Sequence, residues 1–192
     1  PRDFFNSMSP SDDALSGSFF AMGSGENIQS MSGHIRLRST ELGERRPPFN
    51  WKAEGEHFSS DVVRQSENLS CVSAVGEMLS EGRLSEAVLK EKLGVPGGML
   101  ELSAELGDGW VYSETYLNED IAALCQKGSW SAKLLENAGT PWFKTHHSVV
   151  VDGLSPSNRL IIRDPYEGTK YEMELSDFES IWTGIAVHRS IK

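Results

Sequence analysis

Near residue 140 the hydrophobic period of this chain changes, and no other feature limits its fold as much. Upstream, apolar residues recur at helical spacing in segments closed by glycine or proline. Val72, Val75 and Leu79 share one face of a helix over 71–80, with Ser70 or Asn68 as its cap and Gly82 beyond its end. Further helices read over 84–93, closed by Gly94 and Pro96, over 99–106, and over 118–126 and 131–137, closed by Gly128 and Gly139. Trp110-Val111-Tyr112 reads as a short strand between them. Downstream, strand-like runs at 141–143, 148–151, 160–163 and 171–175 are separated by turn signals such as Asp152-Gly153 and Ser155-Pro156-Ser157-Asn158. A short helix over 176–182, capped by Ser176, and a strand over 185–188 close the pattern. Helices first and an antiparallel sheet second predict an α+β domain. No internal repeat is visible.

The β half brings two polar residues together. His147 begins the run His-Ser-Val-Val-Val-Asp-Gly, and Asp164 ends Leu-Ile-Ile-Arg-Asp. Antiparallel neighbours joined by the 152–158 turn place the start of the first strand beside the end of the second, so His147 and Asp164 should face each other. Cys71 opens the first helix, where the helix dipole and free N–H groups favour a thiolate. Gln65 lies six residues before it, on the preceding loop. In that order these are the parts of a cysteine acyl-transfer site: Cys71 attacks, His147 takes its proton, Asp164 orients the imidazole, and the Gln65 amide with the Cys71 N–H binds the oxyanion. His146 is adjacent and competes for the base role; strand alternation lets only one of the two point at Cys71.

Singly, each residue has a plainer reading. A lone helical cysteine is usually core, a histidine before a strand is usually structural, and Asp-Pro usually starts a turn. The combination, in order and on the right elements, favours a catalytic site. Cys71 and Cys125 do not form a disulfide framework, and Cys125 reads as a buried helix residue. Neither a cofactor motif nor a metal-ligand cluster is present in the sequence, so none is expected at the site.

Formal charge narrows the partners. The chain has 192 residues and a net charge of −10. From residue 61 onward 20 Asp and Glu oppose 12 Lys and Arg, without a basic stripe, which argues against nucleic acid and anionic membranes. No apolar run approaches the roughly 20 residues of a membrane span. Residues 1–48 are rich in Ser, Gly and Met and read as a linker-like arm, with residues 49–192 as the folded domain and Trp51 and Phe58 as anchors at its entry. The absence of an initial Met suggests a fragment of something longer.

Three stretches carry a resemblance to a known family: His147-Ser-Val-Val-Val-Asp-Gly, Arg159-Leu-Ile-Ile-Arg-Asp-Pro-Tyr-Glu-Gly, and Met173-Glu-Leu-Ser-Asp-Phe-Glu-Ser-Ile-Trp-Thr-Gly. They resemble the bacteriocin-leader-processing peptidases, papain-like cysteine peptidases that cleave after a double-glycine leader. The resemblance covers about residues 60–190 and implies a papain-like fold, with a helical half carrying Cys71 and a sheet carrying His147 and Asp164. It matches Cys71 to the nucleophile, His147 to the base, Asp164 to the orienting acid and Gln65 to the oxyanion residue. The family has Asp-Cys-Gly at the nucleophile, where this chain has Ser70-Cys71-Val72. The Ser-Cys-Val-Ser-Ala-Val-Gly-Glu-Met-Leu stretch is also similar to papain-fold toxin domains of bacterial polymorphic toxins. That likeness implies delivery or secretion as part of a larger protein, action in a reducing target cytosol, a protein or peptide substrate and an associated immunity protein. The same triad would also serve glutamine deamidation or transglutaminase-like transfer, and a degenerate papain-like fold would serve as a binding module.

Overall fold

The computed structural model describes residues 51–115, 119–136 and 145–190. Seven strands form one antiparallel sheet: β1 (Glu54–Phe58), β2 (Trp110–Glu114), β3 (Trp130–Leu135), β4 (His146–Leu154), β5 (Leu160–Asp164), β6 (Thr169–Met173) and β7 (Trp182–Arg189). Their spatial order is β1-β6-β5-β4-β3-β7-β2. The helices are α1 (Cys71–Leu79), α2 (Glu86–Leu93), α3 (Met99–Leu106), α4 (Glu119–Gln126) and α5 (Leu175–Ile181). This is the expected α+β domain, with the helices that follow Cys71 preceding most of the sheet.

The sheet separates two cores. Val150 and Val187 pack against α1, α2 and α3 on one face. Val149, Val151, Leu160, Ile162 and Tyr171 pack with Ile121 and Leu124 of α4 and Phe178 and Ile181 of α5 on the other. Strand alternation does this: neighbouring valines of β4 enter opposite cores. In the helical layer Gly76 permits a close approach. A Cβ there would lie 2.5 Å from Leu89 Cδ1 and 2.6 Å from Leu102 Cδ1, so α1 can nest between α2 and α3 only without a side chain.

Several boundaries differ from the sequence reading. The helix expected over 131–137 is the central strand β3. Ala, Lys, Leu and Glu favour a helix locally, but Trp130, Ala132 and Leu134 recur at a period of two and are fully buried. Pairing with β4 and β7 on both sides then overrides propensity. β1 is a polar edge strand that the sequence pattern did not reveal, and it pairs with β6 through an irregular register. Trp51 is buried as expected, whereas Phe58 is 55% exposed on that edge and belongs to neither core. Ser176 does not cap the last helix, which begins one residue earlier with Glu174 in the cap position. The arm expected over 1–48 and the strand expected over 141–143 lie outside the described residues. No helix among the described residues is long and apolar enough to cross a membrane.

Candidate active site

Cys71 is the first residue of α1 and 8% exposed. The expected Ser70 cap is not made. Its hydroxyl oxygen instead lies 2.7 Å from Glu86 Oε1 and 2.8 Å from the Glu67 carbonyl, two acceptors that share its one proton. The Ser70 side chain therefore leaves the first-turn N–H groups unclaimed, where an anion beside Cys71 would meet them. Glu86, itself buried, also accepts from the Ser66 N–H at 2.9 Å. The loop before the nucleophile is thus tied to α2 by one carboxylate.

The β4–β5 pairing brings the other two groups in. Val150 pairs with Arg163 in register, which carries Asp164 level with Val149, so His147 reaches it diagonally rather than straight across. His147 Nε2 lies 2.7 Å from Asp164 Oδ1, with both residues buried. The Cys71 thiol acts on the same ring, and its hydrogen bonding and charge both help to raise the imidazole's pKa. Asp164 Oδ1 also accepts from the Tyr166 N–H at 2.9 Å, and Oδ2 accepts from the Tyr171 hydroxyl at 3.1 Å. The Tyr166 ring stands edge-on to the imidazole, 6.3 Å between centroids.

These contacts set the protonation states. Burial disfavours the imidazolium of His147, but the Asp164 charge and hydrogen bond, with help from Cys71, outweigh it and raise the pKa from 6.5 to about 10. Burial likewise pushes the Cys71 thiol up. Hydrogen bonding and charge from His147, with backbone and side-chain hydrogen bonds from Ser148, outweigh that and hold it below its ordinary value. Both directions favour thiolate beside imidazolium at neutral pH. At Cys125, half-buried on α4, burial acts with less opposition and raises the thiol.

Gln65 is joined to the site by its backbone, whose N–H donates to the Pro165 carbonyl at 2.8 Å just after Asp164. Its side-chain Nε2 donates to the Glu67 carbonyl at 3.0 Å, which occupies one of the two N–H donors. The amide borders a cavity of about 330 Å³ that is also lined by Cys71, His146, His147 and Tyr166. His146 is exposed on that rim, while His147 holds the buried contact with Asp164. A second cavity of about 300 Å³ shares Cys71 and His146 with it and extends to Val72, Met99 and Ser148. Leu69 lines both, 56% exposed and in left-handed backbone conformation at φ +70. A larger cavity, about 550 Å³, opens over β1, β5 and β6 and contains none of Cys71, His147, Asp164 or Gln65. No group of three or more His, Cys, Asp or Glu among the described residues could hold a metal ion.

All four residues singled out in the sequence meet here, with His147 rather than His146 beside the acid. Ser148, Tyr166, Tyr171 and Glu86 were missed. Only Ser148 and Tyr166 carried a signal, as near neighbours of His147 and Asp164 in sequence.

Comparison with known proteins found no matching family model. A curated relative, Cysteine protease effector 1 of Escherichia coli O1:K1:H7, is 28% identical over 143 residues, covering 73% of this chain and 29% of the relative. The peptidase domain of Streptococcus ComA, a bifunctional ABC transporter of a quorum-sensing pathway, superposes with TM-score 0.52 at 21% identity, over 68% of this chain and 97% of that domain. A C39-like peptidase from Bacillus anthracis superposes with TM-score 0.54 at 13% identity, over 71% and 98%. The chain therefore has the fold of C39 papain-like cysteine peptidase domains, and it spans under a third of the length of the curated relative it matches.

Proposed function

We propose that this domain is a papain-like cysteine peptidase, with Cys71 as nucleophile, His147 as base and acid, Asp164 as orienting carboxylate, and Gln65 with the Cys71 N–H as oxyanion donors. The observation that supports this best is the buried 2.7 Å contact between His147 and Asp164, at a ring whose charge and hydrogen bonding lower the pKa of a helix-terminal thiol. The thiolate sulfur adds to the substrate carbonyl carbon, and the oxyanion meets the Cys71 N–H and the remaining Gln65 N–H. As the C–N bond breaks, His147 gives its proton to the departing amine, leaving a thioester on Cys71. Water, deprotonated by His147, then attacks the thioester, and the carboxylic acid leaves as Cys71 regains its thiolate.

The effector name of the relative supports a role as the toxin or effector portion of a longer bacterial protein, secreted or delivered into a target cell. Its substrate is then protein or peptide, its working compartment a reducing cytosol that keeps Cys71 free, and its partner in the producing cell an immunity protein. Incubation with unfolded casein and peptide libraries, read by mass spectrometry, tests the reaction. Chain cleavage that Cys71→Ala abolishes and Cys125→Ala preserves supports it. Ammonia release from glutamine without cleavage replaces peptidase by deamidase, and equal loss in both variants removes the triad.

A further inference from the structure

Behind the acid of the site runs a buried chain of hydrogen bonds that begins outside the catalytic elements. Trp51 Nε1 lies 3.0 Å from the Tyr171 hydroxyl, and that hydroxyl lies 3.1 Å from Asp164 Oδ2. Trp51, Tyr171 and Asp164 are 2%, 1% and 0% exposed, so water does not compete for these bonds. An indole N–H can only donate. It therefore occupies a lone pair of the Tyr171 oxygen and directs the tyrosine's own proton to the carboxylate. Asp164 then receives donors from the His147 ring and the Tyr166 N–H at Oδ1 and from Tyr171 at Oδ2. Trp51 precedes β1 and lies 20 residues before Cys71 in the chain.

We propose that Tyr171 and Trp51 are positioning residues of the site: Tyr171 fixes the Asp164 carboxylate and disperses its charge, and Trp51 acts through Tyr171 by setting the direction of its hydroxyl. This rests on the peptidase reading above. A carboxylate with one donor fewer holds the imidazolium proton more tightly, and a tighter imidazolium gives its proton less readily to a leaving group. Removing the Tyr171 hydroxyl should therefore raise the pH at which His147 deprotonates and slow turnover. The titratable groups facing the His147–Asp164 pair among the described residues are Cys71 from α1, Tyr171 from β6, Tyr166 from the turn after β5, and His146 and Glu136 across the cavity.

Tyr171→Phe and Trp51→Phe keep an aromatic ring and remove one polar atom each. The probe is iodoacetamide, with the labelling rate of Cys71 followed from pH 4 to 11 by peptide mapping. In the wild type the rate should rise once as the thiolate forms and again as the imidazolium deprotonates. Cleavage of a peptide from the casein digest, whose amine leaving group needs the imidazolium proton, gives kcat and KM. Tyr171→Phe should move the upper step to higher pH and lower kcat roughly tenfold with KM little changed, as expected for loss of a hydrogen bond to a charged group. Trp51→Phe should shift in the same direction by less, and the double variant should match Tyr171→Phe alone, because Trp51 has nothing left to direct. An upper step that stays put in Tyr171→Phe, or effects of the two variants that add, would overturn the proposal even where thermal melts fall. A wild-type profile with one step at ordinary thiol pH would instead defeat the peptidase reading itself.

Discussion

Replacing Asp164 by asparagine removes one charge and turns the oxygen that faces the Tyr171 hydroxyl into an NH2 donor. The amide side chain would retain an oxygen facing His147 Nε2, so the 2.7 Å hydrogen bond can survive while the coulombic attraction does not. That attraction is the largest influence raising His147, whose pKa stands at about 10 against an ordinary 6.5. The net effect favours imidazolium strongly, even after burial has opposed it. Without the charge, the high-pH step of Cys71 alkylation should fall by more than one unit, toward neutral pH. Stability should follow the same linkage. A raised histidine stabilises the native state fully below pH 6.5 and loses that contribution as pH rises through about 10. The Asp164→Asn variant should accordingly melt below the wild type at pH 6, and the gap should close by pH 10.5. The assay is alkylation of Cys71 against pH, with thermal melts at both ends. An upper step unmoved by Asp164→Asn would refute the reasoning, since it would mean that Asp164 does not set the protonation of His147.

Two other residues give separate tests. Leu69→Gly should relieve the left-handed strain and stabilise the fold by roughly 0.5–1 kcal/mol net of the entropy of the unfolded chain, yet lower kcat/KM, because Leu69 lines both cavities beside Cys71. A melt and a peptidase assay on the same sample check this, and unchanged activity would remove Leu69 from substrate contact. Glu86→Ala strips an acceptor from Ser66 and Ser70 and should cost about 1–2 kcal/mol, since Ser66 is exposed and the Ser70 hydroxyl keeps the Glu67 carbonyl, with activity falling as the loop bearing Gln65 loosens. Denaturant unfolding measures the first effect, and a loss under 1 kcal/mol would show that the clamp is not needed.

The meeting of the candidate residues was more legible than the strand boundaries around them, for physical reasons. His147 and Asp164 border the ends of short β-rich runs joined by a turn, so hairpin geometry alone brings them near each other. Cys71 begins an apolar face of period 3.6, which marks a helix start. The diagonal offset between His147 and Asp164 was not readable, because it depends on an irregularity in the β4–β5 register near Asp152. β3 was misread because its residues favour a helix when considered alone, and only its two flanking strands make it the middle of a sheet. Trp51 read only as an anchor and Tyr171 as a strand residue, and their pairing gave no signal, since 120 residues separate them and their meeting depends on the packed core. Glu86 read as an ordinary helix residue, and its burial follows from the loop that folds over it.

The most direct test of the account is the rate of iodoacetamide labelling at Cys71 and Cys125 at pH 6, resolved by peptide mapping, in the wild type and in His147→Ala. A thiolate held by imidazolium predicts fast labelling of Cys71, slow labelling of Cys125, and loss of the difference in the variant. Equal, slow labelling of both cysteines in the wild type, unchanged by His147→Ala, would contradict it and leave a papain-like fold without an activated thiol.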